Sequence, residues 1–240
     1  MTNKNMVSID FWNTLVDPVA GSDERYYARI EAINDVASRH NKTINEEQVE
    51  ETFTAVSDHF HDIWLNDHRT PKSNELTGLL LQHLGIPATD DDISELSERI
   101  QQSLLKGPPA LAPNVREVVS ELATKYTLVI ISDTMYTPGK VLRAYLAERD
   151  MAQFFSGYVF SDEKGYSKPD TRAFTSALDI AQSKPESSYH IGDLEPTDIV
   201  GAKASGMKAL LYVGLAGEEP EETSADHVTT SWKHAGNILL

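Results

Sequence analysis

The chain has 240 residues, of which 40% are hydrophobic and 24% are charged, and its formal net charge is −16 at pH 7. This composition is typical of a globular protein and excludes a disordered, collagen-like or coiled-coil chain. The negative charge repels nucleic-acid phosphates and anionic lipid, so we expect neither nucleic acid nor a membrane as a partner.

Cysteine is missing from the sequence, which excludes disulfides, thiolate metal ligands and a cysteine nucleophile. The first residues contain too short an apolar run for a signal peptide. No run approaches the roughly 20 apolar residues of a membrane-spanning helix. We therefore expect a cytoplasmic protein.

The first predicted strand covers residues 6–10, a short apolar run that ends at Asp10. Residues 11–18 have the composition of a turn. From about residue 22 to residue 106 the chain is polar and mostly helical. The helices predicted in this stretch cover residues 22–40, 45–65, 73–84 and 89–106.

After residue 113, predicted helices and strands alternate. The helices cover 114–125, 138–148, 170–181 and 197–205, and the strands cover 127–131, 157–160, 188–191 and 208–213. An acidic loop follows at 214–225, and 227–232 is a candidate edge strand. This alternation is typical of a parallel sheet. We predict an α/β protein with a Rossmann-like, doubly wound core of residues 1–18 and 108–240, interrupted by a helical domain of residues 19–107.

Polar side chains stand at the carboxyl ends of the predicted strands, where such sheets bind ligands. Asp10 ends the first strand, Ser132 and Asp133 follow the second, and Asp193 follows the fourth. Lys168 lies between the third strand and the next helix. We expect these side chains to meet in one pocket.

The residue types in this pocket indicate a particular chemistry. Several carboxylates, with Asp198 among them, cannot all stay ionised together without a cation, and Mg²⁺ is a hard ion that works with phosphates. A lysine neutralises charge, a serine hydroxyl holds an oxyanion, and a carboxylate can attack a substrate. The pattern predicts displacement at a phosphoryl or carbon centre through a covalent aspartyl intermediate.

Four motifs in this order resemble those of the haloacid dehalogenase (HAD) superfamily of hydrolases. They are DFWNTL from residue 10, IISDT from residue 130, SKPD from residue 167 and GDLEPTD from residue 192. The helical stretch at about 20–107 is similar to the cap that closes the active sites of these enzymes. The resemblance therefore implies a hydrolase with a cap that supplies substrate specificity.

The resemblance also implies a role for each matching residue. Asp10 would be the nucleophile and a metal ligand, with Asp193 and the backbone carbonyl of Trp12 as further ligands and Asp198 supporting the metal site. The catalytic set would be Asp10, Lys168 and Ser132, in which the lysine orients the nucleophile and the serine binds the phosphoryl group. The substrate site would include Trp12, Asn13, Thr14 and Asp133.

Trp12 departs from the first motif, because phosphatase members carry there a second aspartate that acts as general acid and base. An indole can do neither, since its N–H only donates a hydrogen bond. One alternative is a phosphatase in which water or a cap residue replaces the acid, or whose leaving groups need no proton. A second is a dehalogenase, whose halide needs no proton. A third is a weakly active or non-catalytic ligand-binding protein.

The fourth motif favours the phosphatase. Dehalogenase members typically lose its Gly-Asp pair, whereas this chain retains Gly192, Asp193 and Asp198. We therefore predict a Mg²⁺-dependent phosphatase that acts on a small, anionic, phosphorylated metabolite and is a monomer or homodimer.

Two groups of polar residues in the helical stretch favour a structural role. His59, His61 and His68 are not spaced to place two imidazoles one helical turn apart, so we expect a solvated helix face and no zinc site. Arg25 and Arg29 are one turn apart and are expected on an exposed face, with contact to a substrate anion as the alternative.

Overall fold

The computed structural model describes residues 5–215 and 221–240. Within these ranges the strands are β1 (Met6–Ile9), β2 (Val16–Asp17), β3 (Ala110–Leu111), β4 (Thr127–Ser132), β5 (Gly157–Phe160), β6 (Tyr189–Gly192), β7 (Lys208–Tyr212) and β8 (His227–Thr229). The α-helices are α1 (Ser22–Arg39), α2 (Glu46–Asp67), α3 (Ser73–His83), α4 (Asp90–Lys106), α5 (Val115–Lys125), α6 (Gly139–Glu148), α7 (Ser161–Lys164), α8 (Thr171–Ala181), α9 (Val200–Ala204) and α10 (Trp232–Leu239).

Six strands form one sheet in the order β5-β4-β1-β6-β7-β8, and every neighbouring pair is parallel. The chain leaves β1 toward β4 on one side and later returns to β6 on the other. The strand order thus reverses beside β1, and a crevice at the carboxyl ends is expected at such a point.

The strands carry apolar side chains on both faces. Val7 and Ile9 belong to a buried cluster with α5, α6 and α10, whereas Met6 belongs to a second cluster with α8. Because neighbouring residues of a strand point to opposite faces, this alternation covers the sheet with helices on both sides. The predicted α/β class and doubly wound parallel sheet are confirmed.

Helices α1–α4, which we call the helical insertion, pack around a separate apolar cluster. Two of these helices begin at capping boxes, which explains why the predicted starts were close. Asn45 accepts from the backbone of Gln48 and caps α2, and Thr89 accepts from the backbone of Asp92 and caps α4. No helix in the described residues is long and apolar enough to cross a membrane.

Two linkers join the helical insertion to the sheet, and they touch at Gly21 and Gly107. A Cβ atom at Gly107 would lie 2.2 Å from the Gly21 carbonyl oxygen, so neither position has room for a side chain. The Arg25 guanidinium donates to the carbonyl oxygens of Ala20 (2.9 Å), Gly107 (2.5 Å) and Pro18. The expectation that Arg25 lies on an exposed face is therefore wrong, because its guanidinium donates hydrogen bonds to carbonyl oxygens of both linkers.

Arg29 also differs from expectation. Its Nε donates to Ser103 Oγ at 2.9 Å, and its guanidinium carbon lies 5.1 Å from the ring centre of Tyr136. The side chain therefore packs between α4 and the loop after β4. Both the aliphatic stem and the guanidinium of Arg29 thus make contacts within the fold. Arg25 and Arg29 therefore do not form an exposed pair on α1.

The remaining differences concern short elements in several parts of the chain. The candidate edge strand at 227–232 ends at Thr229, and Trp232 begins α10, capped by Ser231. Strands β2 and β3, of two residues each, form an antiparallel pair that the sequence pattern did not predict. Part of the predicted acidic loop, residues 216–220, lies outside the described residues.

Candidate active site at the carboxyl end of the sheet

Asp10 follows β1 at the point where the strand order reverses. Its backbone N–H donates to the carbonyl of Ile191 at 2.8 Å, which extends the pairing of β1 with β6 by one residue. The side chain is buried, and its Oδ1 accepts from Lys168 Nζ at 2.5 Å. The central strand therefore holds a carboxylate at the bottom of the crevice.

Lys168 lies in the loop between α7 and α8, and its side chain is 3% exposed. Its Nζ contacts Asp10 Oδ1 at 2.5 Å, Asp198 Oδ1 at 2.6 Å and the Ile131 carbonyl at 3.4 Å. Burial alone would lower the pKa of this lysine, but the neighbouring carboxylates raise the pKa above its ordinary value. The ammonium therefore stays charged and links two carboxylates.

Asp198 lies in the π-helical turn Glu195–Ile199 after β6. Besides Lys168, its Oδ1 contacts His190 Nε2 at 2.8 Å, and its Oδ2 accepts from the backbone N–H of Leu194 at 3.1 Å. Burial would raise the pKa of Asp198, but Lys168 and His190 together hold that pKa well below the ordinary value. Both oxygens of Asp198 are thus used within the fold.

His190 extends this network into the sheet. Burial lowers its pKa, so the imidazole is neutral. Because the ionised Asp198 can only accept, Nε2–H donates to it at 2.8 Å, and Nδ1 accepts from the hydroxyl of Ser8 on β1 at 2.9 Å. Gly192 passes close to this group, since a Cβ atom there would lie 2.2 Å from Asp198 Cγ. The glycine of the fourth motif therefore makes room for the buried carboxylate.

Asp10 and Asp193 carry more negative charge than Lys168 can offset. Burial and the neighbouring carboxylates raise the pKa of Asp10 well above its ordinary value and that of Asp193 to about 7. The amide of Asn13, a residue with a left-handed φ of 52°, hydrogen bonds to Asp193. Oxygen donors with surplus negative charge suit a hard divalent cation. In the part of the chain that the structure describes, however, no three acidic or histidine side chains form a ready-made metal cage.

Asp133 connects this site to the helical insertion. Its Oδ1 accepts from the backbone N–H of Lys168 at 3.1 Å, and its Oδ2 accepts from the indole Nε1 of Trp64 on α2 at 2.9 Å. Burial raises the pKa of Asp133 to about 6, although Lys168 and Trp64 oppose the rise. A residue of the helical insertion thus holds a carboxylate that in turn holds the lysine backbone.

A cavity of about 270 Å³ opens above these residues. Its walls come from the first loop, from α2 and from the loops after β4 and β6. The lining residues are Asp10, Trp12, Asn13, Phe60, His61, Trp64, Asp133, Thr134, Met135, Lys168, Asp193, Leu194, Thr197 and Asp198. Charged groups form the floor, and large apolar side chains form much of the wall.

Most residues selected from the sequence line this cavity, but Ser132 and Thr14 are not among its lining residues. The Ser132 hydroxyl is buried and lies 3.3 Å from the Asp133 carbonyl oxygen. The Thr14 hydroxyl is buried and has no hydrogen-bond partner within the described residues. Their catalytic and substrate roles stay predictions.

Three residues of α2 that the sequence analysis did not select line the cavity, namely Phe60, His61 and Trp64. His61 is exposed, as expected of a solvated face, but that face borders the cavity. The spacing of Phe60 and Trp64, one helical turn apart, indicates a shared face. No feature of the neighbouring sequence predicts that this face of α2 lies beside the end of β4.

The sequence matches a model of the haloacid dehalogenase-like hydrolases over residues 30–212. Among curated proteins, it is 35% identical over 119 residues to a glyceraldehyde 3-phosphate phosphatase from Methanothermobacter thermautotrophicus. That match covers 48% of this chain and 49% of the relative, so it spans about half of the relative's length.

Solved structures show the same fold over nearly the whole chain. A 2-haloacid dehalogenase from Pseudomonas syringae pv. tomato is 21% identical, with 98% of each chain covered and a TM-score of 0.76. YfnB, a HAD hydrolase from Bacillus subtilis bound to magnesium, is 18% identical, with 99% of each chain covered and a TM-score of 0.69. At these identities the likeness concerns the fold alone.

Proposed function

This chain belongs to the haloacid dehalogenase-like hydrolases, and we propose that it is a Mg²⁺-dependent phosphatase that acts on small phosphorylated metabolites through Asp10. The observation that carries the proposal is the ion pair of Asp10 and Lys168 at 2.5 Å on the floor of the cavity. The likeness to a phosphatase over about half of that relative supports the phosphoryl chemistry.

In the proposed reaction, one oxygen of Asp10 attacks phosphorus and the bond to the leaving oxygen breaks. Lys168 opposes the rise in the pKa of Asp10 and orients its carboxyl group, since Nζ contacts Oδ1 at 2.5 Å. Asp198 and His190 fix the lysine in turn. Water then attacks the phosphorus of the aspartyl phosphate, which releases phosphate and restores Asp10.

For Mg²⁺, we propose Asp10, Asp193 and the backbone carbonyl of Trp12 as ligands. The surplus of buried negative charge around Asp10 and Asp193 supports this set, and the likeness to YfnB, a protein bound to magnesium, agrees with it. When bound, the ion would offset charge on the phosphoryl group. Because both oxygens of Asp198 accept hydrogen bonds within the fold, we assign Asp198 a supporting role beside the metal.

We further propose that residues 19–107 form a cap domain over a core of residues 1–18 and 108–240. The separate apolar cluster of the helical insertion supports this division. Trp12, Asn13 and Asp133 would contact the substrate, Thr14 would shape the first loop, and Ser132 would bind the phosphoryl group. A cysteine-free sequence agrees with a cytoplasmic location, and we expect a monomer or homodimer.

Phosphate release from small phosphate esters and acyl phosphates tests the proposed function. We expect release that requires Mg²⁺, stops in chelator and is lost in Asp10→Asn. A parallel assay follows halide release from 2-haloacids in chelator. Halide release without added metal, with no phosphate release from any ester, would replace the phosphatase by a dehalogenase. Turnover of neither class would indicate a ligand-binding protein.

A further inference from the structure

We propose that the substrates of this site are monophosphate esters whose leaving group is aromatic, uncharged in its remaining part, and stable as an aryloxide. This inference rests on the phosphatase function proposed above and narrows it to one substrate class. Three separate features of the cavity carry it, namely the shape of its wall, the shortage of cations and the shortage of proton donors.

The wall of the cavity is aromatic and presents flat faces. Phe60 and Trp64 stack with an interplanar angle of 19° and ring centres 6.1 Å apart. Trp12 stands nearer the floor, held edge-on by Phe11 with ring centres 5.0 Å apart. Leu194 adds apolar surface and is 39% exposed at the cavity. A planar apolar group gains both area burial and ring contacts on such a wall.

Few cations are available for a second anionic group on the substrate. Of the described residues that line the cavity, only Lys168 and His61 are basic, and Lys168 already contacts two carboxylates. Asp133 and Asp193 would repel a second phosphate or a carboxylate. A buried anion without a partner is costly, so the part of the substrate beyond the phosphoryl group should be uncharged.

Proton donors are equally scarce near the leaving oxygen. The indole of Trp12 cannot give up its proton. Both oxygens of Asp133 and of Asp198 accept hydrogen bonds within the fold. A phenol has a pKa of about 10, whereas the pKa of water, which an aliphatic alcohol resembles, is about 16. An aryloxide therefore leaves without protonation far more readily than an alkoxide.

The reaction balances without an acid in the site. An Asp10 oxygen forms a bond to phosphorus, and the aryl oxygen departs with the electron pair of the broken P–O bond. Water then adds to phosphorus and Asp10 departs as carboxylate. One proton of that water ends on the aryloxide in solvent, so the products are a phenol and hydrogen phosphate.

Three esters separate leaving-group acidity from apolar fit: phenyl phosphate, cyclohexyl phosphate and glycerol 3-phosphate. With Mg²⁺, we expect kcat/KM, which reports the step that expels the leaving group, to be at least about 100-fold higher for phenyl phosphate than for cyclohexyl phosphate, the usual contribution of a missing acid. We expect KM for glycerol 3-phosphate to be the highest. Comparable kcat/KM values for phenyl and cyclohexyl phosphate, within about threefold, would overturn the inference.

Two variants test the wall and the missing acid. Phe60→Ala should raise KM for phenyl phosphate by about three- to tenfold and leave KM for glycerol 3-phosphate unchanged. Phe53→Ala, on the same helix but not lining the cavity, is the matched control. Trp12→Asp supplies a carboxyl group and should reduce the ratio of kcat/KM for phenyl phosphate to kcat/KM for cyclohexyl phosphate at least tenfold. An unchanged ratio of the kcat/KM values for phenyl and cyclohexyl phosphate in Trp12→Asp would contradict the inference. So would equal changes of KM for phenyl phosphate and glycerol 3-phosphate in Phe60→Ala.

Asp193 is a proposed Mg²⁺ ligand, which leaves His61 as the remaining candidate proton donor among the residues that line the cavity. His61→Asn should leave the ratio of the two kcat/KM values unchanged, as should the control His59→Asn. A selective loss of cyclohexyl phosphate turnover in His61→Asn would identify His61 as a general acid and refute the inference. Failure of the inference alone leaves Mg²⁺-dependent hydrolysis of glycerol 3-phosphate intact, whereas failure of the phosphatase function leaves no ester hydrolysed and removes the substrate class with it.

Discussion

The indole Nε1 of Trp64 lies 2.9 Å from Oδ2 of Asp133, and this hydrogen bond ties helix α2 to the sheet. Asp133 Oδ1 in turn accepts from the backbone N–H of Lys168, whose Nζ contacts Asp10. Four residues from four parts of the chain thus form one continuous path from the helical insertion to Asp10, the proposed nucleophile. A shift of the insertion would therefore change the position of Lys168.

Trp64→Phe tests this path, because phenylalanine keeps an aromatic ring beside Phe60 and removes only the N–H donor. We expect kcat/KM to fall about three- to thirtyfold, which corresponds to the loss of one hydrogen bond to a charged group. The midpoint of urea unfolding should change little. The comparison variant is Phe53→Ala, which perturbs α2 away from the cavity. An unaltered kcat/KM in Trp64→Phe would show that the contact does not reach Lys168.

Asp133→Asn should reveal a pH dependence of stability. The folded-state pKa of Asp133 is raised to about 6 from 3.8, so the folded protein binds its proton more tightly than the unfolded chain does. As pH rises through this window, ionisation of Asp133 therefore lowers the free energy of unfolding of the wild-type protein. Asparagine does not ionise and causes no such loss. Relative to wild type, the variant should gain up to roughly 3 kcal/mol between pH 4 and pH 7. Urea titrations across this range measure the difference, and a constant difference would argue against a raised pKa.

Lys168→Met removes the single ammonium between Asp10 and Asp198. We expect a loss of activity and, in chelator at pH 7, a loss of about 3–5 kcal/mol in unfolding free energy, because a buried charge loses its partner. At pH 5 the loss should be smaller, since the carboxyl groups left behind have higher pKa values and can take up protons. The raised pKa of Lys168 keeps its contribution in wild type throughout this range. A loss that does not depend on pH would contradict this explanation.

Arg25→Met tests the contact between the two linkers. Methionine retains an apolar stem but cannot donate to the carbonyls of Pro18, Ala20 and Gly107. We expect a loss of about 2–4 kcal/mol in stability and faster proteolysis at the linkers. Arg39→Met, a substitution at a more exposed arginine near the end of the same helix, is the control and should change neither. Equal protease resistance of the two variants would assign Arg25 a minor role.

The site floor was predictable because its residues stand at strand ends. Asp10 and Asp193 each follow a short apolar run, and parallel strands bring such ends together. The sequence did not show that Lys168 would contact Asp10 and Asp198 at once, or that His190 on β6 would complete the network. Nothing in the local sequence predicts the role of His190, because the pattern of a buried strand does not show which residue a polar side chain within it contacts.

The cavity wall was not predictable, because it depends on how α2 folds back over the sheet. Phe60 and Trp64 have the spacing of any apolar helix face, and the sequence around Trp64 does not indicate that its indole contacts Asp133. Arg25 was misjudged for a similar reason, since its partners are linker carbonyls. Trp232 was assigned to a strand because a helix of eight residues is too short for its period to show.

The crossing of the linkers has a consequence for how this enzyme can change. A Cβ atom at Gly21 would lie 2.6 Å from the Gly107 carbonyl carbon, so the chain enters and leaves the helical insertion at nearly one point. If the helical insertion were removed at this contact, a few residues would join the two linkers without moving β1 or β4. We infer that the insertion can be exchanged at this point, and that a replacement with its own N–H donor to Asp133 would alter the choice of substrate while Lys168 stays in place.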